Sequence, residues 1–334
     1  MEIKALTGIR GVFAFYVVIF HLVPHEYGEG INNFITNGYL AVDFFFLLSG
    51  FIMSMVHHEF SVKGGGNYVH FMYKRFCRIY PLYIFLYILT SFIVFLHSGT
   101  YYNPVVALIN LSLLQSIFGF NYIQSSWSIS TELFAYLLFP VILNIISNSR
   151  YIIPAVLLAI ASLLYLSINN NVLALSLGIA GGWQSILRCL ADYTLGITSF
   201  VLLRKGIIVS KPVSYILGCI VIFFLFHRTF DIYVVILCAV LIPAVADCKN
   251  VMSKIFAIRP IHYLGEISYS FYLIHSIFIN QLGFMFEGLA YYKSAIIIAS
   301  LIASCVTYHT VEKPCRAYLS SGKMAFFKKA KTDA

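Results

Sequence analysis

Long apolar runs separated by short polar stretches dominate this chain. Ten of them approach the length of a membrane-crossing helix: residues 10–25, 38–56, 79–97, 128–147, 151–168, 186–203, 212–227, 231–247, 266–283 and 291–309. Crossing the hydrocarbon of a bilayer takes about 20 helical residues. The pattern therefore predicts an all-α polytopic membrane protein, a bundle of about ten transmembrane helices. The short alternating segments of an outer-membrane barrel are absent. Two further apolar stretches fit a span poorly. Residues 104–120 are short and follow Asn103-Pro104; residues 169–185 are interrupted by Asn169-Asn170-Asn171 and Gly181-Gly182-Trp183. They read either as re-entrant or interfacial segments lining a central chamber, or as surface loops with aromatic anchors.

Composition narrows the class. The 334 residues are 60% hydrophobic and 10% charged, whereas a soluble domain carries roughly 25% charged residues. A soluble enzyme, a disordered chain and a disulfide scaffold are poor fits. The net charge of +9 would suggest nucleic acid in a soluble protein, but here it follows the cytoplasmic bias of lysine and arginine. With a cytoplasmic start, ten spans place 19 of the 22 basic residues on that side and leave Arg188, Arg228 and Lys293 on the other. This asymmetry puts both termini in the cytoplasm, the C-terminal one as a short basic tail over 319–334. The seven cysteines include no CxxC pair, and no metal site is expected. The first run lacks a small-residue cleavage site and reads as a retained span. No internal repeat marks a transporter, and no linker divides residues 1–334 into domains.

Ionisable residues within spans are costly and usually functional. Arg10 and His21 stand 11 positions apart, which on a helix is about three full turns and about 16 Å. They share one face, with the arginine at the cytoplasmic mouth and the histidine in the outer half. Arginine suits a phosphate, and histidine suits proton transfer near neutral pH. Asp43, in AVDFFFLLSG, needs a partner; His21 at similar depth is the candidate, as in a triad. Ser49-Gly50 reads as close helix packing. Glu132, in WSISTELFAY, follows Trp127 and Ser128 and shares a face with Tyr136. It is expected to orient an acceptor hydroxyl or a histidine, or else to hold the bundle together, with Ser126 or Ser128 capping the helix. Lys74, Arg75 and Arg78, with Tyr80-Pro81 expected to open the third span, form the strongest basic cluster, either an anchor for anionic lipid or a grip on a phosphorylated ligand. GEISYSFYLIH places Ser268, Tyr269, Tyr272 and an intramembrane His275 near the start and middle of the ninth span. Asp192, four residues after Arg188, is expected to pair with it. Glu312-Lys313-Pro314 is expected to end the last helix.

Read together, these motifs resemble the integral-membrane acyltransferase-3 family. TGIRG…VVIFHL is similar to its Arg-x10-His signature, carried by Arg10 and His21. NGYLAVDFFFLLSGF is similar to the second motif, with Ala41 where glycine is usual. KRFCRIYP, WSISTELFAY, GEISYSFYLIH and VEKP are similar to the remaining four, and the likeness runs from about residue 5 to 318.

The resemblance implies transfer of an acyl group, usually acetyl, from an acyl-CoA to a hydroxyl, often on a cell-surface or exported glycan. It implies a multi-pass protein of the bacterial inner (plasma) membrane, with acetyl-CoA as donor, a glycan or glycolipid as acceptor, membrane lipid as surroundings and a homo-oligomer as an option. No SGNH esterase-like domain fits after residue 320. Arg10, Lys74, Arg75 and Arg78 would hold the donor. His21, oriented by Asp43 or Glu132, would be the general base. Trp127, Ser128, Tyr136, Tyr269 and His275 would contact substrate or the oxyanion. The rivals are a transporter or flippase of a lipid-linked saccharide, a non-catalytic membrane scaffold, and a succinyltransferase of the same family.

Overall fold

A computed structural model describes residues 3–23, 27–61, 66–99, 103–169, 182–227, 230–247, 249–286, 288–289 and 291–320. All regular structure among them is helical: α1 (Lys4–Leu22), α2 (Glu29–Thr36), α3 (Leu40–Val56), α4 (Tyr68–Ser98), α5 (Pro104–Leu111), α6 (Gln115–Phe118), α7 (Trp127–Ser147), α8 (Ser149–Asn169), α9 (Trp183–Arg204), α10 (Lys211–Leu225), α11 (Asp231–Ala246), α12 (Val251–Phe256), α13 (Arg259–Glu266), α14 (Ser268–Asn280), α15 (Tyr292–Thr307) and α16 (Lys313–Ser320). Seven helical stretches among the described residues are long and apolar enough to cross a membrane; α10 and α11 are shorter apolar helices. Each of the ten apolar runs falls largely on helical residues.

The helices sort by what they face. α1, α3 and α9 are largely buried, whereas α8 and α15 present most of their surface outward. The outward side chains are large and apolar, such as Ile88 and Phe92 on α4, Leu157 and Leu158 on α8 and Ile298 and Ile302 on α15. Lipid is the solvent that tolerates such a surface. The polar and charged residues are concentrated on the inner helices, where neighbours can satisfy them.

Close backbone approach makes that centre. At the crossing of α3 and α9, a Cβ on Gly50 would stand 2.2 Å from the Tyr193 carbonyl oxygen, and one on Gly196 would stand 2.0 Å from that of Leu47. Only glycine permits this contact, in the manner of small-residue crossings in membranes. Gly50 is thus a packing residue, as expected.

Several helix ends differ from expectation. Tyr80-Pro81 does not open a helix: α4 starts at Tyr68, where the Asn67 side chain accepts from the His70 backbone N–H at 2.9 Å, and it runs on through Pro81. Neighbouring helices in membranes re-satisfy the backbone that a proline disturbs. Pro314 does not stop the last helix either. A π-helical turn over Tyr308–Glu312 leads into α16, and proline is tolerated in the first turn of a helical segment. α7 has no side-chain cap from Ser126; a 3-10 turn over Gln124–Ser126 feeds it instead.

Of the two irregular stretches, most of 169–185 lies outside the described residues. Residues 104–120 form α5 and α6, folded under the start of α7. Gln115 Nε2 donates to the Ser126 carbonyl at 3.1 Å and Ser116 pairs with Ser130 at 2.6 Å, all four side chains being buried. Most of the basic tail also lies outside the described residues.

Candidate active site

Two spaces among the described residues of the bundle gather the candidate side chains. The larger, of about 570 Å³, is lined by Arg10, Lys74, Arg75, Arg78 and Arg316 together with Glu132. Arg10 is fixed by the junction of α13 and α14: its Nε donates to Ser268 Oγ and its Nη2 to the Gly265 carbonyl, each at 2.9 Å. That junction reaches α1 because residue 265 has no side chain; a Cβ there would stand 1.8 Å from the Thr7 carbonyl oxygen. Arg75 lies 5.7 Å from the centre of the Phe71 ring. Its Nε is buried without a hydrogen-bond partner among the described residues. A buried guanidinium N–H left unpaired is expensive. Ser128, Glu132 and Tyr136 recur every four residues and put one face of α7 on the same cavity. Tyr269 also lines it, and its hydroxyl donates to the Ile79 carbonyl at 2.9 Å.

The smaller pocket, of about 70 Å³, is lined by His21, His275, Trp127 and Arg188 among others. His21 sits in the last turn of α1 and is exposed to the pocket. Its Nδ1 lies 3.0 Å from the Val17 carbonyl oxygen and 3.4 Å from His275 Nε2. His275, fully buried, places its own Nδ1 3.2 Å from the Phe271 carbonyl oxygen. A carbonyl can only accept, so in the neutral rings each Nδ1 carries the proton. His275 Nε2 then offers a lone pair to His21 Nδ1–H, and His21 Nε2 is left as the basic nitrogen. A histidine therefore orients His21, not a carboxylate.

Asp43 is engaged elsewhere. Its Oδ1 accepts from Arg188 Nε at 2.6 Å and its Oδ2 from Arg188 Nη2 at 2.5 Å, with both side chains almost fully buried. This corrects two expectations, the Asp43–His21 pair and the local Arg188–Asp192 pair. A planar fork matches a carboxylate on a facing helix better than one a turn away on its own helix. Asp192 is buried with neither carboxylate oxygen hydrogen-bonded among the described residues. Glu132 lines the cationic cavity rather than the pocket of His21, so it does not orient that ring either.

A polar ladder runs beside the two histidines. Tyr272, Ser276 and Asn280 recur every four residues along α14 and meet Ser128, Ser125 and Gln124, each contact being 2.9 Å. Sequence reasoning found only the inner rung's two residues, because serines and amides in apolar runs carry no distinctive spacing.

The comparisons with known proteins give the chain a family. The sequence model described as Acyltransferase domain, Acyl_transf_3, matches residues 3–309. The chain belongs to the acyltransferase-3 family. Among its relatives is Acyltransferase MdmB of Streptomyces mycarofaciens, 31% identical over 159 residues, which cover 42% of this chain and 39% of that protein. O-acetyltransferase OatA of Staphylococcus aureus (strain NCTC 8325 / PS 47) is 23% identical over 356 aligned positions, covering 94% of this chain and 57% of the relative. Protein 2 in the picA locus of Rhizobium radiobacter is 38% identical over 80 residues, 24% of this chain and 39% of that protein. The chain thus spans less than two-thirds of the length of these relatives. No solved structure matches it significantly.

In this member of the family, the fold gathers Arg10, Lys74, Arg75, Arg78, Ser128, Glu132, Tyr136 and Tyr269 around one cavity, and His21, Trp127 and His275 around another. Asp43 lies behind the second pocket, tied to Arg188. Arg316 and Tyr308, both lining the cationic cavity, were missed. Their spacing with Glu312, every four residues, was the available signal, and the expectation that Pro314 ends the helix hid it.

Proposed function

We propose that this protein is a membrane O-acyltransferase that moves acetyl from acetyl-CoA to a hydroxyl of a glycan or glycolipid. The observation that carries the reading is the division of labour along α1. Arg10 belongs to a cavity lined by five cations, and His21, three turns further, belongs to a pocket with a free basic nitrogen. The bundle of about ten spans would lie in a bacterial inner membrane with both termini cytoplasmic, so that the cationic cavity opens to the cytoplasm. Both spaces belong to one catalytic domain.

Arg10, Arg75 and Arg78, with Lys74 and Arg316, suit the phosphates of the CoA donor, since guanidinium groups take phosphate oxygens two at a time. The unpaired Nε of Arg75 fits that role. Glu132 shares this cavity and is assigned to the donor side. His21 Nε2 takes the proton of the acceptor hydroxyl as its oxygen attacks the thioester carbonyl. His275 receives the His21 Nδ1–H bond and holds the ring as it becomes charged. In the balanced step an O–C bond forms, the C–S bond breaks, and the proton passes from His21 to the CoA sulfur. With its one N–H directed to Phe271, neutral His275 does not serve the oxyanion. The Trp127 indole N–H, the Arg188 guanidinium and the Gln124 amide N–H are donors on that pocket that could serve it.

The name of the S. aureus relative supports acetyl as the acyl group and oxygen as the acceptor atom. The charge of Arg188 is matched by Asp43, which leaves no unmatched arginine or lysine among the described residues lining the His21 pocket for a second carboxylate and so favours acetyl over succinyl. The deciding experiment presents radiolabelled acetyl-CoA and a panel of hydroxyl acceptors to the purified protein in lipid nanodiscs. Label should pass to an acceptor with the wild type and not with His21→Ala. Saccharide flux across liposomes without acyl-CoA, and no labelled acceptor, would replace this reading with transport.

A further inference from the structure

The cationic cavity and the histidine pocket share just two lining residues among the described ones, Val42 on α3 and Tyr272 on α14. They form the partition between the donor grip and the base. We propose that Val42 and Tyr272 frame an aperture that sets the size of the acyl group transferred. This rests on the acyl-transfer reading above and adds a specificity-determining pair to it.

Neither residue has room to withdraw. Val42 is 6% exposed and Tyr272 is 7% exposed. Val42 precedes Asp43, whose two bonds to Arg188 tie α3 to α9 at that turn. Backbone movement at Val42 would therefore strain a buried ion pair. Tyr272 is held at its hydroxyl and at its ring. Ser128 spends its only proton on the Ser125 carbonyl at 3.1 Å, so in the 2.9 Å contact between the two hydroxyls Tyr272 donates and Ser128 accepts. The ring packs edge-on against Phe45, with centroids 5.8 Å apart and planes at 81°. Interiors packed this way respond to a change of one methylene.

The chemistry gives the partition its consequence. The thioester carbonyl must meet an acceptor oxygen that is losing its proton to His21, on the pocket side, while Arg10, Arg75 and Arg78 hold the donor on the cavity side. The acyl carbon crosses the partition, and the remaining acyl carbons lie against the Val42 side chain and the Tyr272 ring. One methylene in a hydrophobic site is worth about 10- to 200-fold in discrimination, enough to separate acetyl from its longer homologues.

The test compares acetyl-, propionyl- and butyryl-CoA as donors for the nanodisc-embedded protein, with rates expressed as ratios to acetyl. Val42→Ala should raise the butyryl-to-acetyl ratio about tenfold or more. Val42→Ile should lower the propionyl-to-acetyl ratio by a similar factor, and its conservative volume change protects against misfolding. Tyr272→Phe keeps the ring but frees it from Ser128, and should relax the profile towards longer chains. A role in packing alone would lower all three rates together. Unchanged ratios in both Val42 variants, with acetyl transfer still measurable, would overturn the aperture and leave the acyl-transfer reading standing. No transfer from any donor by the wild type would overturn that reading and the aperture with it.

Discussion

His275 Nε2 stands 3.4 Å from His21 Nδ1, so the proposed base is steered by a second imidazole from a helix more than 250 residues further along the chain. Both rings also direct an N–H to the carbonyl four residues earlier in their own helices. Each is held twice, once by its own helix and once by the other. His21→Ala should lower kcat by about 100- to 10,000-fold, the usual share of general-base catalysis. His275→Ala should lower it less, with the KM for acetyl-CoA unchanged, because it removes only the group that orients the base. His275→Asn returns an acceptor oxygen to the site and should recover part of the loss. The acid limb of the pH–rate profile should belong to the pair rather than to one ring, and it should shift in either His275 variant. An unshifted limb in both would remove His275 from the mechanism.

The Asp43–Arg188 pair should show its importance in stability. Removing one member of a buried pair strands the other, at a cost of about 3–5 kcal/mol. Asp43→Leu and Arg188→Met should each lower the thermal midpoint of the detergent-solubilised protein sharply. The double variant should recover much of that loss, since an apolar replacement of the whole pair is often close to neutral. If Asp43 instead oriented His21, Asp43→Leu would abolish transfer with the midpoint little changed.

How much of this was legible in the sequence differs from residue to residue. The shared face of Arg10 and His21 was readable because helical periodicity is local, and α1 does cover both. The basic cluster on α4 was readable because charge within an apolar chain stands out. The partner of Asp43 was not, for it lies 145 residues away and helix–helix pairing leaves no local mark. Asp192 looked the better partner for Arg188 because only spacing was visible. Proline rules failed at Pro81 and Pro314 because they describe a lone helix, and packing overrides them here. The ladder from Tyr272 to Asn280 is built from residues common in any membrane helix, and only its geometry distinguishes it.

The cationic cavity predicts a split in the kinetics. Arg75→Ala and Arg78→Ala should each raise the KM for acetyl-CoA about tenfold or more, the value of a charge-assisted hydrogen bond, with kcat little altered. Isothermal titration with free CoA should weaken in parallel, and dephospho-CoA should be less affected by whichever arginine holds the missing phosphate. Arg10 differs because it also bonds Ser268 and Gly265. Arg10→Ala should therefore disturb the α13–α14 junction and lower the thermal midpoint as well. Equal CoA affinity in all three variants would move the donor site elsewhere.

His57 supplies a pH-dependent element at the end of α3, just outside the span. The ring is buried, packs edge-on against Phe71 at 5.0 Å, and has Nδ1 3.2 Å from Glu59 Oε1. Burial pushes this imidazole below its ordinary value, with the Glu59 contact opposing the shift. The unfolded chain therefore binds a proton at His57 more readily than the folded one. Stability from this residue is fully present above the ordinary histidine value and is lost as pH falls towards the folded one. The thermal midpoint should accordingly drop between pH 8 and pH ~5.5, and His57→Gln should shrink that drop because no ring remains to protonate. The same drop in His57→Gln as in the wild type would assign the acid sensitivity to other groups.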